Sequence, residues 1–193
     1  MKTFTWLAVI AIVGVSVNAS GQTLPASEWR RGTTLAGFAG ATSESSDTSA
    51  AAGTALAWEV TPRFTIEGRG TWMSKGSGQT DFFALLSAVV PLRPAHSFVP
   101  FVSGGVGMYA ATVDTASGDV PTFYLNRMTE GVPRDSFRDV MFAVGSGADL
   151  YMTPHIAIRP EVSLLVVTTS SDARPLVVYG VQLAYHFERH QMP

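Results

Sequence analysis

The sequence predicts an all-β protein: an eight-stranded antiparallel up-and-down transmembrane β-barrel preceded by a cleaved signal peptide. Apolar residues recur at every second position in most of eight successive segments, which is the period of a strand and not of a helix. Short connections that contain proline alternate with longer polar connections. Of the 193 residues, 46% are hydrophobic and 15% are charged. Because no segment has helical periodicity over a useful length, these apolar side chains must lie on strands.

The amino terminus has the pattern of a secretory signal peptide. Lys2 precedes an uncharged run from Phe4 to Val17, and the small residues that end at Ala19 fit a cleavage site. A membrane anchor is the alternative, but the run is shorter than the roughly 20 apolar residues that a spanning helix requires. Residues 1–19 are therefore predicted to be removed, and residues 20–31 to form an irregular periplasmic lead-in. The chain has no cysteine, so it can form no disulfide and carry no lipid on that residue.

The first three predicted strands cover residues 32–42, 50–60 and 64–72. The first strand is rich in glycine and alanine, and its alternation is weak. In the second, Leu56 and Trp58 oppose Ala57 and Glu59. The third alternates most regularly, with the apolar face ending at Trp72 and the other face polar.

The fourth and fifth predicted strands cover residues 80–92 and 98–113. Both faces of the fourth are apolar, so its register cannot be determined from the pattern. The fifth runs through Gly104, Gly105 and Gly107. Because no helix follows these glycines, they are predicted to allow close backbone packing and not to bind phosphate.

The last three predicted strands cover residues 139–151, 156–167 and 175–187. Each has an apolar face and a face of small, polar or charged residues. Pro100 and Pro160 lie inside predicted strands, where each lacks a backbone donor. Each is therefore predicted to mark a bulge or a strand start near the periplasmic rim.

The connections predict the orientation of the barrel. Those after the second, fourth and sixth strands are short and contain Pro62, Pro94 and Pro154, whereas the other four are longer and more polar. Outer-membrane barrels have short turns in the periplasm and long loops outside the cell. The loop 114–135 is the longest and is predicted to be the main external loop.

Aromatic residues test this arrangement independently. Phe64 and Trp72 lie eight residues apart on one face, which corresponds to about 20 Å of membrane on a strand tilted by about 40°. Aromatic packing in the core of a soluble sandwich is the alternative. The predicted membrane girdle consists of Trp58, Phe64, Trp72, Tyr109, Phe142, Tyr179, Tyr185 and Phe187.

Three segments resemble the small eight-stranded outer-membrane barrel domains of the OmpA/OmpX-like porin family. They are residues 99–109, 144–150 and 158–162, and the resemblance extends over essentially all of the mature chain. Gly180, Leu183, Tyr185 and Phe187 are similar to the carboxy-terminal signal that the barrel-insertion machinery binds. The pattern departs from that signal in two ways: Val178 replaces a polar residue, and residues 188–193 follow the last aromatic residue as a short tail. The resemblance implies roles in adhesion, envelope integrity or surface exposure without selecting one.

The opposite face of the strands is predicted to fill the barrel interior. An eight-stranded barrel is just wide enough for its own side chains, and buried charges require partners. Arg69 is expected to pair with Glu67 or Glu59, and Arg159 with Glu161 or Asp149. The predicted polar network of the lumen consists of Glu59, Glu67, Arg69, Asp149, Arg159, Glu161 and Gln182.

Enzymatic and cofactor sites are not predicted. All four histidines lie at the turn end or near the carboxyl terminus, and no His–Ser–acid trio is suggested at a membrane-facing site. No pair of histidines has metal-ligand spacing on one element, and no basic patch indicates nucleic-acid binding. Catalytic residues, cofactors and metals are therefore predicted to be absent.

The predicted function is that of a monomeric, non-enzymatic outer-membrane protein with a structural or surface-interaction role. Its expected partners are outer-membrane lipid, the insertion machinery during biogenesis, and an extracellular partner at the loop 114–135. A soluble lipocalin-like ligand-binding barrel with its apolar side chains inward is the main alternative. A narrow passive channel and a lipid-modifying barrel enzyme are further alternatives.

Overall fold

The computed structural model describes residues 31–44, 47–75, 79–92, 97–112, 136–168 and 173–188. The predicted signal peptide, almost all of the lead-in, the loop 114–135 and the tail after residue 188 lie outside these residues. The strands are β1 (Arg31–Glu44), β2 (Asp47–Thr61), β3 (Phe64–Ser74), β4 (Thr80–Pro91), β5 (Phe98–Thr112), β6 (Ser136–Tyr151), β7 (Ile156–Thr168) and β8 (Ala173–Glu188). Within the described ranges, no helix has the length and apolarity needed to cross a membrane.

The eight strands form one closed antiparallel barrel. Each strand pairs with its neighbours in the sequence, and β1 pairs with β8 to close the sheet. This confirms the predicted fold class and up-and-down topology. Closure satisfies the backbone groups that the edges of an open sheet would expose.

The register fixes the tilt of the strands. Starting at Thr33, the paired residues lead once around the barrel to Ser43, which is ten residues further along β1 and gives a shear number of 10. The path is Thr33, Trp58, Ile66, Ala88, Gly104, Val144, Leu164, Val177 and Ser43. With strands about 4.8 Å apart and a rise of about 3.3 Å per residue, eight strands with this shear tilt by about 40°.

The connections alternate less in length than predicted. The turn 62–63 and the joins 92–97 and 152–155 lie at what we call the lower end, and the other four joins at the upper end. Most residues between the predicted strands 32–42 and 50–60 belong to strands, because β1 continues to Glu44 and β2 begins at Asp47. Only the join 113–135 is clearly longer than those at the lower end.

The two prolines inside strands differ in their effect. Pro100 is the third residue of β5, so it lies at a strand start, as predicted. Pro160 is the fifth residue of β7, and the register to both neighbouring strands is unshifted, so the prediction of a bulge or strand start was wrong. The ladder between β6 and β7 instead skips two residue pairs there, because proline cannot donate a hydrogen bond.

Candidate functional site

The interior contains a layer of paired charges at about half height. Arg69 on β3 donates from Nη2 to Glu67 Oε1 at 2.7 Å and to Glu161 Oε2 at 2.8 Å, and its Nη1 also donates to Glu161. Gln182 on β8 donates from Nε2 to Glu161 Oε2 at 2.7 Å. The bonds from Arg69 to Glu161 cross the lumen from β3 to β7, and Gln182 binds Glu161 from the adjacent strand β8.

Arg159 on β7 completes this layer. Its Nε donates to Asp149 Oδ1 at 2.6 Å, and its Nη1 donates to Glu67 Oε2 at 2.6 Å. Glu67 therefore accepts from both guanidinium groups, one on each carboxylate oxygen. We call Glu67, Arg69, Asp149, Arg159, Glu161 and Gln182 the ionic layer. Their charged side chains are almost fully buried, so the attraction between them is weakly screened by solvent.

The partners in the ionic layer differ in part from those predicted. Arg69 pairs with Glu67 and Arg159 pairs with Asp149, which are two of the predicted pairs. Glu161, however, accepts from Arg69 and not from Arg159, because Arg159 reaches across to Glu67. Glu59, the remaining member of the predicted network, also faces inward but lies lower, next to the turn 62–63.

Two aromatic rings cover the guanidinium groups of the ionic layer. Arg159 Cζ lies 5.0 Å from the centroid of the Phe101 ring, and Arg69 Cζ lies 5.8 Å from that of the Phe38 ring. Both distances are within the range of cation–π attraction. The rings also fill space in which water would otherwise compete for the ion pairs.

Above the ionic layer the interior is apolar. This apolar plug consists of buried side chains that point inward near the upper end, and its largest members are Met73, Phe83, Tyr109, Met141, Leu165 and Leu176. The sequence predicted an interior of small, polar or charged residues and missed the plug. The signal was present in the upper parts of β4, β7 and β8, where both faces are apolar.

A second polar cluster lies at the upper end of the lumen. Glu44 accepts hydrogen bonds from Arg174 on β8 and, at 2.6 Å, from Lys75 Nζ. Lys75 Nζ also lies 3.3 Å from Asp81 Oδ2, which accepts the hydroxyl proton of Tyr109. We call Glu44, Lys75, Asp81 and Arg174 the upper polar cluster. It lies directly above the apolar plug, and the Tyr109 hydroxyl of the plug connects the two.

The lower end of the interior is lined by smaller contacts. Thr34 Oγ1 lies 2.7 Å from His186 Nδ1, and the His186 ring lies 5.1 Å from that of Tyr151. Four alanines pack in the same region. Within the described ranges, no group of three or more His, Asp or Glu residues could hold a metal ion.

The outer wall carries the apolar face of every strand. Trp58, Trp72, Phe142, Tyr179, Tyr185 and Phe187 are exposed there, and Phe64 is half-buried. Leu183 is 63% exposed and Val144 60%. Of the strand residues whose side chains the structure describes, Arg138 is the only charged one at an outward position.

Tyr109 is a correction to the predicted girdle. It is 1% exposed and points into the lumen, where it bonds Asp81. Phe98 is exposed on the outer wall of the same strand. The two residues are separated by an odd number of positions, so an unbulged strand cannot place both on one face.

The outward aromatic residues form two rings. At this shear and tilt, a residue lies about 3 Å higher along the barrel axis than its paired residue on the preceding strand. This height corresponds to about 1.25 residues of one strand. On this scale the lower and upper rings are about 20 Å apart, close to the roughly 25 Å apolar band of outer-membrane barrels. The lower ring consists of Trp58, Phe64, Phe98, Tyr185 and Phe187, and the upper ring of Trp72, Phe82, Phe142 and Tyr179.

Solved structures with the same architecture are known. The N-terminal β-barrel domain of Pseudomonas aeruginosa OprF is 11% identical with a TM-score of 0.60, and the match covers 82% of this chain and 100% of that one. Neisserial surface protein A is 10% identical with a TM-score of 0.60, covering 80% and 96%. The outer membrane protein OprG from Pseudomonas aeruginosa is 12% identical with a TM-score of 0.55, covering 84% and 99%.

The chain has the fold of small eight-stranded outer-membrane barrels. At 10 to 12% identity the likeness concerns the fold alone. No protein-family model and no curated protein matches the sequence.

Proposed function

We propose that this protein is a monomeric, non-enzymatic barrel of the bacterial outer membrane with a structural or surface-interaction role. One observation carries the proposal: the barrel has its apolar side chains outside and its charges inside. A soluble barrel would have the opposite arrangement, since water solvates charges and expels apolar surface. The lipocalin-like alternative would require Leu183 and Val144 to line a cavity, whereas both are exposed on the outer wall.

The energetics favour a hydrocarbon environment for the outer wall. Turning Arg69 or Arg159 outward at the middle of a bilayer would cost about 2 to 4 kcal/mol for each residue. A shift of one residue in register would turn every side chain of a strand to the other face. The alternation of apolar and polar residues therefore specifies both the register and the environment of the barrel.

The interior supports a closed lumen. A hydrated passage would have to cross both the ionic layer and the apolar plug, and the plug offers water few hydrogen-bond partners in the described part of the chain. No observation favours a channel or an enzyme over a structural role. Contacts outside the cell are proposed for the loop 114–135, because it is the one long connection at the upper end.

Membrane fractionation tests this proposal. The protein should stay with membranes after a carbonate wash, and the unboiled protein should migrate differently from the boiled protein on a detergent gel. Release by carbonate would contradict the membrane assignment and favour the soluble barrel. Protease treatment of whole cells should then cleave within 114–135 and spare the lower joins, whereas cleavage in the join 92–97 would reverse the orientation.

A further inference from the structure

The outer wall changes character above the upper aromatic ring. Six outward positions there are occupied by serine or threonine, one on each of six strands, and by axial position they fall within about 8 Å of one another. We call them the hydroxyl collar: Ser43, Thr48, Ser74, Thr80, Thr112 and Thr168. The outward positions of β6 and β8 at this height are Val140 and Arg138 on β6, and Pro175 and Ala173 on β8. The outer wall therefore becomes polar near the upper end on six of the eight strands.

The lower end of the outer wall has no equivalent collar within the described ranges. Val60, Leu92, Phe98, Met152 and Ile156 are exposed apolar residues that continue to the turns. Proximity to a strand end therefore does not account for the hydroxyl residues. The two ends of the barrel are adapted to different surroundings.

Arg138 adds a positive charge to the collar. It is exposed, and it lies four residues from Phe142 on the same face of β6, which is about 10 Å of axial height above the upper ring. On β5 its paired residue is Ala110, and Thr112 lies two positions further along the same face. Arg138 and neighbouring hydroxyl groups are thus directed outward at the level where lipid headgroups meet the barrel.

We propose that Arg138 and the hydroxyl collar bind the phosphorylated sugar headgroups of outer-leaflet lipids. A guanidinium group binds phosphate through paired hydrogen bonds, and serine and threonine hydroxyls both donate to and accept from sugar hydroxyls. The proposal rests on the membrane assignment made above. It adds the chemistry of the lipid and the residues that bind it.

Native mass spectrometry of the detergent-purified full chain tests this inference. The probes are lipid A, which is a phosphorylated disaccharide lipid, its dephosphorylated form, and phosphatidylglycerol. Arg138→Gln should weaken lipid A binding about fivefold, as expected for one basic residue at an anionic lipid surface. Arg63→Gln is the matched control, because Arg63 is exposed in the turn at the lower end, and it should leave lipid A binding unchanged.

Each remaining outcome has a defined meaning. Equal binding of lipid A to the wild type and to Arg138→Gln, or an equal loss in Arg63→Gln, would overturn the inference. Binding of phosphatidylglycerol as tight as that of lipid A would overturn the role of the collar in sugar recognition, as would full displacement of lipid A by inorganic phosphate. Both variants should keep heat-modifiable migration. Failure of the wild type in the carbonate wash would instead reject the membrane assignment.

Discussion

Glu67 links the two arginines of the ionic layer. Its two oxygens accept from different arginines, which come from β3 and β7. A buried ion pair does not necessarily stabilise a protein relative to apolar packing, but the loss of one partner leaves a buried charge uncompensated. The layer therefore fixes a unique arrangement of side chains in the lumen, and each member is sensitive to substitution.

Replacement of Glu67 should be more destabilising than replacement of a carboxylate in the upper polar cluster. Glu67→Gln replaces one accepting oxygen by an amide NH2 group, which as a donor cannot accept from the guanidinium group it faces, and we expect the free energy of unfolding to fall by about 2 to 3 kcal/mol. Glu44→Gln is the control, because Glu44 is partly exposed and water can replace part of the interaction, so we expect about 1 kcal/mol. Urea unfolding in lipid vesicles, followed by tryptophan fluorescence, measures both values. Equal losses would show that burial does not govern the strength of these pairs.

Tyr109 provides a test of the inward direction of its side chain. Tyr109→Phe removes the hydroxyl that donates to the fully buried Asp81 and should destabilise the barrel by about 1 to 3 kcal/mol. Tyr179→Phe is the matched control, since Tyr179 is exposed on the outer wall, and its effect should stay within about 0.5 kcal/mol. The same unfolding assay applies. An effect at Tyr109 as small as that at Tyr179 would contradict a buried hydrogen bond between Tyr109 and Asp81.

At the scale of the element, β5 shows how an inward-facing glycine allows the adjacent strand β4 to approach closely. A Cβ on Gly105 would lie 2.5 Å from Leu86 O, 2.6 Å from Ser87 Oγ and 2.9 Å from Ser87 Cα. On the adjacent Gly104, which faces outward, the nearest atom to a Cβ is Ala143 O at 3.9 Å. Two successive glycines therefore have different structural requirements.

The glycine pair gives a prediction with an internal control. Gly105→Ala should strongly destabilise the barrel or prevent its folding, because two of the contacts are backbone atoms of β4 that can shift only with their strand. Gly104→Ala should be neutral or stabilising by up to about 1 kcal/mol, since alanine reduces the freedom of the unfolded chain. The fraction of heat-modifiable protein after refolding into detergent compares the two. If both variants refold equally well, the close approach of β4 to β5 is not a constraint.

At the scale of the whole molecule, three stacked layers of side chains occupy the lumen, and the proposed closure rests on them. The ionic layer lies at about half height, the apolar plug above it, and the upper polar cluster over the plug. The ionic layer and the upper polar cluster both consist of ion pairs and differ in burial, whereas the plug is apolar, so a condition that weakens ion pairs leaves the plug in place. High salt, for example, screens partly exposed pairs more than buried ones.

A conductance measurement tests this closure. The purified protein in planar bilayers should show no large stable openings, in low salt or in 1 M salt, because salt does not weaken the apolar plug. Phe83→Ser combined with Met141→Ser should introduce openings by hydrating the plug, whereas Glu44→Gln should not. Large openings of the wild type would contradict a closed lumen and favour the passive-channel alternative.

The sequence by itself determined the eight strands and the direction of most of their side chains. Alternation with a period of two is a local property of an extended chain, and a slip in register would expose every charge at once, so the pattern in β3, β6, β7 and β8 left little freedom. The prediction of side-chain direction failed where both faces of a strand are apolar or where the alternation is weak. The register of β4 was undetermined, and with it the roles of Asp81, Phe82 and Phe83.

Only the tertiary structure decided which residues meet across the lumen. Arg159 and Glu67 are 92 residues apart, and they come together because the strands tilt and the barrel closes with a shear of ten residues. The shear brings residues that are far apart in the sequence to the same height along the barrel axis. No local sequence pattern encodes this offset. The cross-lumen partners and the apolar plug follow from closure, because each depends on the axial position of one strand relative to the others.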